Sequence, residues 1–202
     1  MNDELPAVDV ARRSGAETFL LSGEATEHTL LEFWRWSSSD LLSNATRGVL
    51  AEYLVGLVLG CAGGTRREWD AADLLTPDGL RVEVKSAAYL QTWAQTRPSR
   101  ITFGIQPTTG WDAVSNTLSE ARMRQANVYV FALLHHQTKA TVDPLDLDQW
   151  IFYAMSTLKL NERAPEQRSI GLASLMALEP EVAHFGGLRA AVSRAVAYEG
   201  QD

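Results

Sequence analysis

The chain has 202 residues, 46% hydrophobic and 21% charged, enough for one sizeable core and a poor match to extensive disorder. Its formal net charge of −7 weighs against broad phosphate contact, which Lys and Arg would make. Cys61 is the single cysteine, which excludes an intramolecular disulfide and a thiol-based zinc site.

Residues 1–24 are polar and weakly patterned, a loose N-terminal arm ahead of a single domain over 25–202. Leu30, Leu31 and Trp34 are spaced for a helix over 27–38. A second helix is expected from Ser43 or Asn44, either of which can cap it, to Gly60. Strands follow at 69–75 and 80–86, joined by Thr76-Pro77-Asp78-Gly79, and another at 99–105. The polar stretch 113–124 is helix-compatible, and 126–136 reads as a buried strand. Two more extended segments fall at 149–156 and 168–175, and an amphipathic helix over 186–199 closes the chain. Helices flanking a central mixed β-sheet make the expected fold class α/β.

The charge is unevenly spread. Residues 1–46 hold eight acids against three bases, whereas 85–139 hold six bases against two acids. That basic stretch permits nucleic-acid contact without requiring it. His28, His135, His136 and His184 lack metal-ligand spacing. The apolar run at 49–59 is interrupted by Glu52 and Tyr53 and is too short to span a bilayer, and MNDELPAVDVARRSG has no signal-peptide core. A soluble cytoplasmic protein without a membrane partner is expected. Tyr89 and Trp93 invite a base-stacking reading, but aromatics near a sheet belong more often to the core, and the same holds for Trp34, Trp36 and Trp111. Asp143, Asp146 and Asp148 lack the glycine and terminal Glu of a calcium loop and read as a polar lead-in to a strand.

The hairpin carries the chemistry. Pro77 presets φ, Asp78 suits the next position and Gly79 accepts the left-handed conformation, so a three-residue loop with a bulge is expected. Thr76 then faces Leu80, Asp73 faces Glu83, and Ala71 faces Lys85. Opposed carboxylates repel at such a separation, and a hard divalent cation with oxygen ligands would hold them together. On the second helix, Glu52 has Gly48, Val49, Val55 and Gly56 three and four positions away, an inward-packing face on which a carboxylate needs a partner. Taken singly, Glu52 could pair with Arg47 or another base, Asp73 could be an ordinary strand-end residue, and Glu83 and Lys85 could be a solvated strand face.

A helix-borne Glu followed by Asp, a short hairpin and Glu-x-Lys resembles the PD-(D/E)xK nuclease superfamily, whose fold is restriction-endonuclease-like. Glu52, Asp73, Glu83 and Lys85 carry the resemblance, over 44–93, and Ala72 stands where the superfamily's name has Pro. The resemblance implies an endonuclease hydrolysing phosphodiester bonds of nucleic acid, above all DNA. Asp73 and Glu83 would hold Mg²⁺, with Mn²⁺ as its expected substitute and Glu52 as a direct or water-mediated ligand. Lys85 would orient or deprotonate the attacking water or stabilise developing charge, the first and last being favoured. Gln91 would support the site by pointing back to it, against the alternative of a surface glutamine. Many such enzymes act as homodimers, although no stretch here marks an interface. The competing expectations are a catalytically inactive member serving as a nucleic-acid-binding or assembly module, and a metal-free structural α/β protein.

Overall fold

The computed structural model describes residues 8–66, 72–112 and 117–198. The chain opens on a hairpin within what was expected as a loose arm: β1 (Thr18–Leu21) and β2 (Glu24–Thr29) pair antiparallel. Ser22 and Gly23 take φ of 54° and 87°, the two-residue loop whose twist suits paired strands. The first helix therefore begins later than 27. In α1 (Leu30–Ser38) the Thr29 hydroxyl accepts from the Glu32 N–H while the Glu32 carboxylate accepts from the Thr29 N–H. The second helix, α2 (Asn44–Leu59), has the expected ends. The Ser43 hydroxyl accepts from the Thr46 N–H, and Gly60 stops the helix at φ 80°, donating to the Gly56 and Leu57 carbonyls.

The turn chemistry also holds. In β3 (Leu74–Leu75) and β4 (Arg81–Ala88), Leu74 faces Val82 and Leu75 faces Arg81, the register the loop requires. Gly79 donates to the Thr76 carbonyl at 2.9 Å and adopts φ 86°. Residues 69–71, and with them the pairing of Ala71 with Lys85, lie outside the described residues.

Next come β5 (Thr102–Gly104), β6 (Thr108–Asp112) and β7 (Thr117–Met123). The stretch expected as a helix over 113–124 is thus, from 117 on, a strand paired with β6; 113–116 lie outside the described residues. Helix propensity is worth only tenths of a kcal/mol per residue, and cross-strand pairing overrides it. Then β8 (Val128–Leu134) and β9 (Trp150–Ser156) form as expected, followed by α3 (Thr157–Arg163) and β10 (Ser169–Gly171). The extended reading of 168–175 fails after Gly171, where α4 (Leu172–Ala177) begins. The chain ends in β11 (Glu181–Ala183) and α5 (Leu188–Val196). Asp143 and Asp146 serve as turn caps before β9, accepting from the Leu145 and Asp148 N–H groups.

The central sheet has the order β11-β9-β8-β4-β3, with β4 and β8 parallel and the other pairs antiparallel. Every residue of β8 is buried, because both faces of the sheet are covered. Val82, Val84 and Val130 pack under α2 and α5; Ala87, Phe131 and Leu133 face the second cluster with Phe103 and Leu175. This alternation plants the even residues of β4 beneath α2 and sends Glu83 and Lys85 to the opposite face, ahead of the point where the second cluster closes over Ala87. Among the described residues no helix is long and apolar enough to cross a membrane.

Several aromatics expected in the core are not there. Trp36 is 84% exposed and Trp93 56%, while Trp34 is 37% exposed and packs against Gly15. The hairpin β1–β2 and α1 lie outside both core clusters, and α1 buries none of its residues. Tyr89 does pack against the second cluster, and the burial of Trp111 lies outside the described residues.

Arg124 ties the second layer together. It is buried and donates to the carbonyls of Ile105 at 2.8 Å and Ala164 at 2.7 Å and to Asn161 Oδ1 at 2.6 Å. Burial depresses the pKa of its guanidinium. Arg124→Met keeps the stem and orphans those acceptors, so urea unfolding is expected to show a loss of about 2–3 kcal/mol; an unmoved midpoint would mean that water replaces the guanidinium.

Candidate active site

Asp73 stands one residue before β3, where the hairpin register continues to Glu83. Its Oδ2 accepts from the Val84 N–H at 2.7 Å, so the carboxylate is fixed to the backbone of the strand that bears Glu83 and Lys85. On β4, Lys85 Nζ donates to Glu83 Oε1 at 2.5 Å. Asp73, Glu83 and Lys85 line one cleft of about 490 Å³. Its further walls come from Tyr129 on β8, from Gln106 and Gln125, and from Arg168.

The charges in this cleft are strongly coupled. Burial pushes the Asp73 carboxyl up, and the neighbouring Glu83 carboxylate adds to it; Lys85 and the Val84 N–H pull the other way, leaving Asp73 at about 6. Burial works against the Lys85 ammonium, but Glu83, Asp73 and Glu52 outweigh it, so its pKa rises above the usual lysine value. Burial and then Glu83 raise the pKa of the Tyr129 phenol, which remains a neutral O–H group beside the carboxylates. Tyr129 was not singled out from sequence, although a phenol in an otherwise apolar strand was a signal. Its place beside Glu83 depends on the parallel register of β4 with β8, which no local pattern reveals.

Glu52 lies inward on α2, as its neighbours suggested, but its carboxylate is engaged. Arg66 Nε donates to Oε2 at 2.5 Å and Nη2 to Oε1 at 3.0 Å, a bidentate pair. The partner is not Arg47, whose buried guanidinium donates to the Leu42 carbonyl, Asn44 Oδ1 and Ser86 Oγ. Glu52, Arg66 and Asp73 line a second cleft of about 430 Å³, so Asp73 at the sheet edge is common to both clefts. Glu52 thus reaches the hairpin carboxylates across Asp73, and its charge helps to raise the Asp73 pKa.

Gln91 is buried in the loop that follows β4. Its Nε2 donates to the Ala88 carbonyl and to Ser99 Oγ, and Oε1 has no partner among the described residues. Those bonds belong to the loop over 88–99, away from the cleft of Asp73 and Lys85.

Among the described residues no group of three or more His, Cys, Asp or Glu is arranged to hold a metal ion. Two hard oxygen donors do share the first cleft, and burial first, then the Glu83 carboxylate, raise the pKa of Asp73. A donor pair of this kind fits Mg²⁺, which takes one or two carboxylates and completes its shell with water and substrate phosphate.

No curated protein matches the chain. A family model described as bacteriophage T4 endonuclease IV matches residues 3–173, a span that takes in the hairpin, both clefts and most of the sheet. By the extent of that match the chain belongs to the phage T4 endonuclease IV family.

Proposed function

We propose that the chain is a divalent-metal-dependent nuclease of the PD-(D/E)xK type, acting on DNA, with Asp73, Glu83 and Lys85 as its catalytic centre. The observation that carries this reading is the convergence of Asp73, Glu83 and Lys85 in one cleft. Membership of an endonuclease family supports the reaction class.

In this reading Asp73 and Glu83 hold Mg²⁺ or Mn²⁺, and Glu52, paired with Arg66, is left the water-mediated role. The cation, when bound, supplies Lewis-acid polarisation of the scissile phosphate and a more acidic water. Lys85 keeps its proton at neutral pH and offers donors to the attacking water and to the charge growing on phosphate oxygens. Asp73, fixed to the Val84 N–H, and Glu83, bonded to Lys85, hold that geometry in advance. The Tyr129 hydroxyl adds a neutral donor in the same cleft.

The test is cleavage of single- and double-stranded DNA in Mg²⁺ or Mn²⁺ by the wild type, Asp73→Ala and Lys85→Ala. Activity confined to the wild type is the expected result. Equal activity in all three would remove these residues from the mechanism. One observation favours a non-catalytic binding or assembly module: Glu52 is already neutralised by Arg66. That module would show no calorimetric Mn²⁺ binding that depends on Asp73 and Glu83.

A further inference from the structure

Besides Asp73, Glu83 and Lys85, the first cleft is lined by two neutral amides, Gln106 and Gln125, and by Arg168, and the hydrogen bonds of each amide leave one of its polar atoms unpaired among the described residues. Arg168 Nε donates to Gln106 Oε1 at 3.2 Å, which fixes that carboxamide and leaves Gln106 Nε2 a donor without a partner among the described residues. Gln125 is fixed the other way round. Its Nε2 donates to the carbonyls of Thr108 at 3.3 Å and Met123 at 3.4 Å, leaving Oε1 a free acceptor there.

Both side chains rise from rigid backbone. Gln106 follows Ile105, which is buried, donates to the Arg168 carbonyl at 2.9 Å and accepts from Arg124 at 2.8 Å. Gln125 lies between Arg124 and Ala126, each 4% exposed. Two surface amides thus have buried neighbours, set orientations and a position in the same cleft as Asp73, Glu83 and Lys85. Ordinary surface glutamines are free rotors; these are held.

We propose that Gln106, Gln125 and Arg168 form a subsite that reads the edge of the nucleobase next to the scissile phosphate. The proposal rests on the nuclease reading above. A base edge presents donors and acceptors side by side, and an unpaired amide donor and an unpaired amide acceptor in one cleft are its complement. Gln125 Oε1 is an acceptor and offers a phosphate nothing, so the amide pair suits a base edge better than a second phosphate. The guanidinium of Arg168 orients Gln106 through Nε and adds donors to the same cleft. The cleft volume of about 490 Å³ lies within the roughly 300–1,000 Å³ of small-ligand sites.

Two measurements test the subsite. In the first, DNA of mixed sequence is cut in Mn²⁺ and the bases on either side of every cut are read. The wild type is expected to favour one base on one side at least tenfold in kcat/KM, and the Gln106→Ala/Gln125→Ala double variant to reduce that ratio below twofold. A merely structural role for the amides would lower all four rates together and leave the ratio intact. In the second, strands of abasic residues carrying a single A, C, G or T bind to Asp73→Asn protein in EDTA, with and without the two Gln→Ala changes, followed by fluorescence anisotropy. Cleavage without base preference, or with a preference the double variant keeps, overturns the subsite and leaves the nuclease standing. Base-selective binding that the double variant loses, with no cleavage by the wild type, supports the subsite and removes the nuclease. Neither cleavage nor selective binding overturns both.

Discussion

Asp73→Asn is expected to yield a protein without nuclease activity that is more stable than the wild type in metal-free buffer at pH 8, by about 1–3 kcal/mol. Burial and the Glu83 carboxylate hold Asp73 at about 6, whereas an unfolded Asp titrates at about 3.9. Folding therefore takes up a proton between those two values. The sign follows. Below about pH 4 both states are protonated and the contribution of Asp73 to stability is whole; it is lost as the pH rises through about 6, where the folded protein must carry the charge. Asn carries no charge at any pH, and its Oδ1 can still accept from the Val84 N–H. Urea midpoints of the two proteins should coincide near pH 4 and separate up to pH 7, with the variant the more stable. Glu17, lowered to about 2 by backbone N–H groups of the Ser14 turn, acts oppositely, contributing above the unfolded value and losing it as the pH falls to about 2. Both proteins carry Glu17, so it cancels in the difference. Mn²⁺ at a hundredfold excess over its dissociation constant should then add about 2.7 kcal/mol to the wild type and little to the variant. Equal stability at every pH would mean that Asp73 is as well solvated as in the unfolded chain, and the argument for a cation would fail with it.

The same repulsion explains which parts of the site were legible in the sequence. A turn of Thr-Pro-Asp-Gly sets its own geometry, so the register that carries Asp73 towards Glu83 could be counted from Gly79 alone. The inward face of Glu52 was equally local, since residues three and four away define it. What answers Glu52 was not. Arg66 lies beyond the helix end, and only the return of the chain after Gly60 brings its guanidinium to the carboxylate. Tyr129, Gln106, Gln125 and Arg168 arrive on elements distant in sequence, through a parallel strand pair and the short β5–β10 ladder, for which periodicity carries no register. Trp36 and Trp93 show the reverse failure: their apolarity predicts burial, but burial depends on a second layer, and none covers them among the described residues. The strand at 117–123 was misread because Ala, Glu and Arg favour helices weakly while the pairing with β6 decides the outcome.

Lys85→Met should separate chemistry from metal binding. The variant is expected to lose about 10²–10³-fold in kcat, as removing one donor to a developing oxyanion does elsewhere, while its Mn²⁺ affinity stays level or tightens. The reason lies in the charge arrangement of the cleft. Lys85 is an ammonium held by Glu83 at 2.5 Å, so it competes with any cation for that carboxylate. Removing it frees a ligand and withdraws a positive charge that lowers the Asp73 pKa, so the acid limb of the pH–rate profile should move to higher pH. Lys85→Arg keeps the charge and should retain more activity than Met, with the acid limb close to its wild-type position. A general-base role would make the wild-type rate climb with pH towards the lysine pKa, which Glu83, Asp73 and Glu52 have pushed above its usual value. An ammonium that orients water and steadies phosphate oxygens predicts instead a plateau through neutral pH and a fall once it deprotonates. Should Mn²⁺ affinity collapse together with kcat in Lys85→Met, the lysine would be organising the carboxylates and not meeting the phosphate. Asp73 argues against that result, because its bond to the Val84 N–H does not depend on Lys85, and Glu83 keeps its place on β4 when the Lys85 bond is lost.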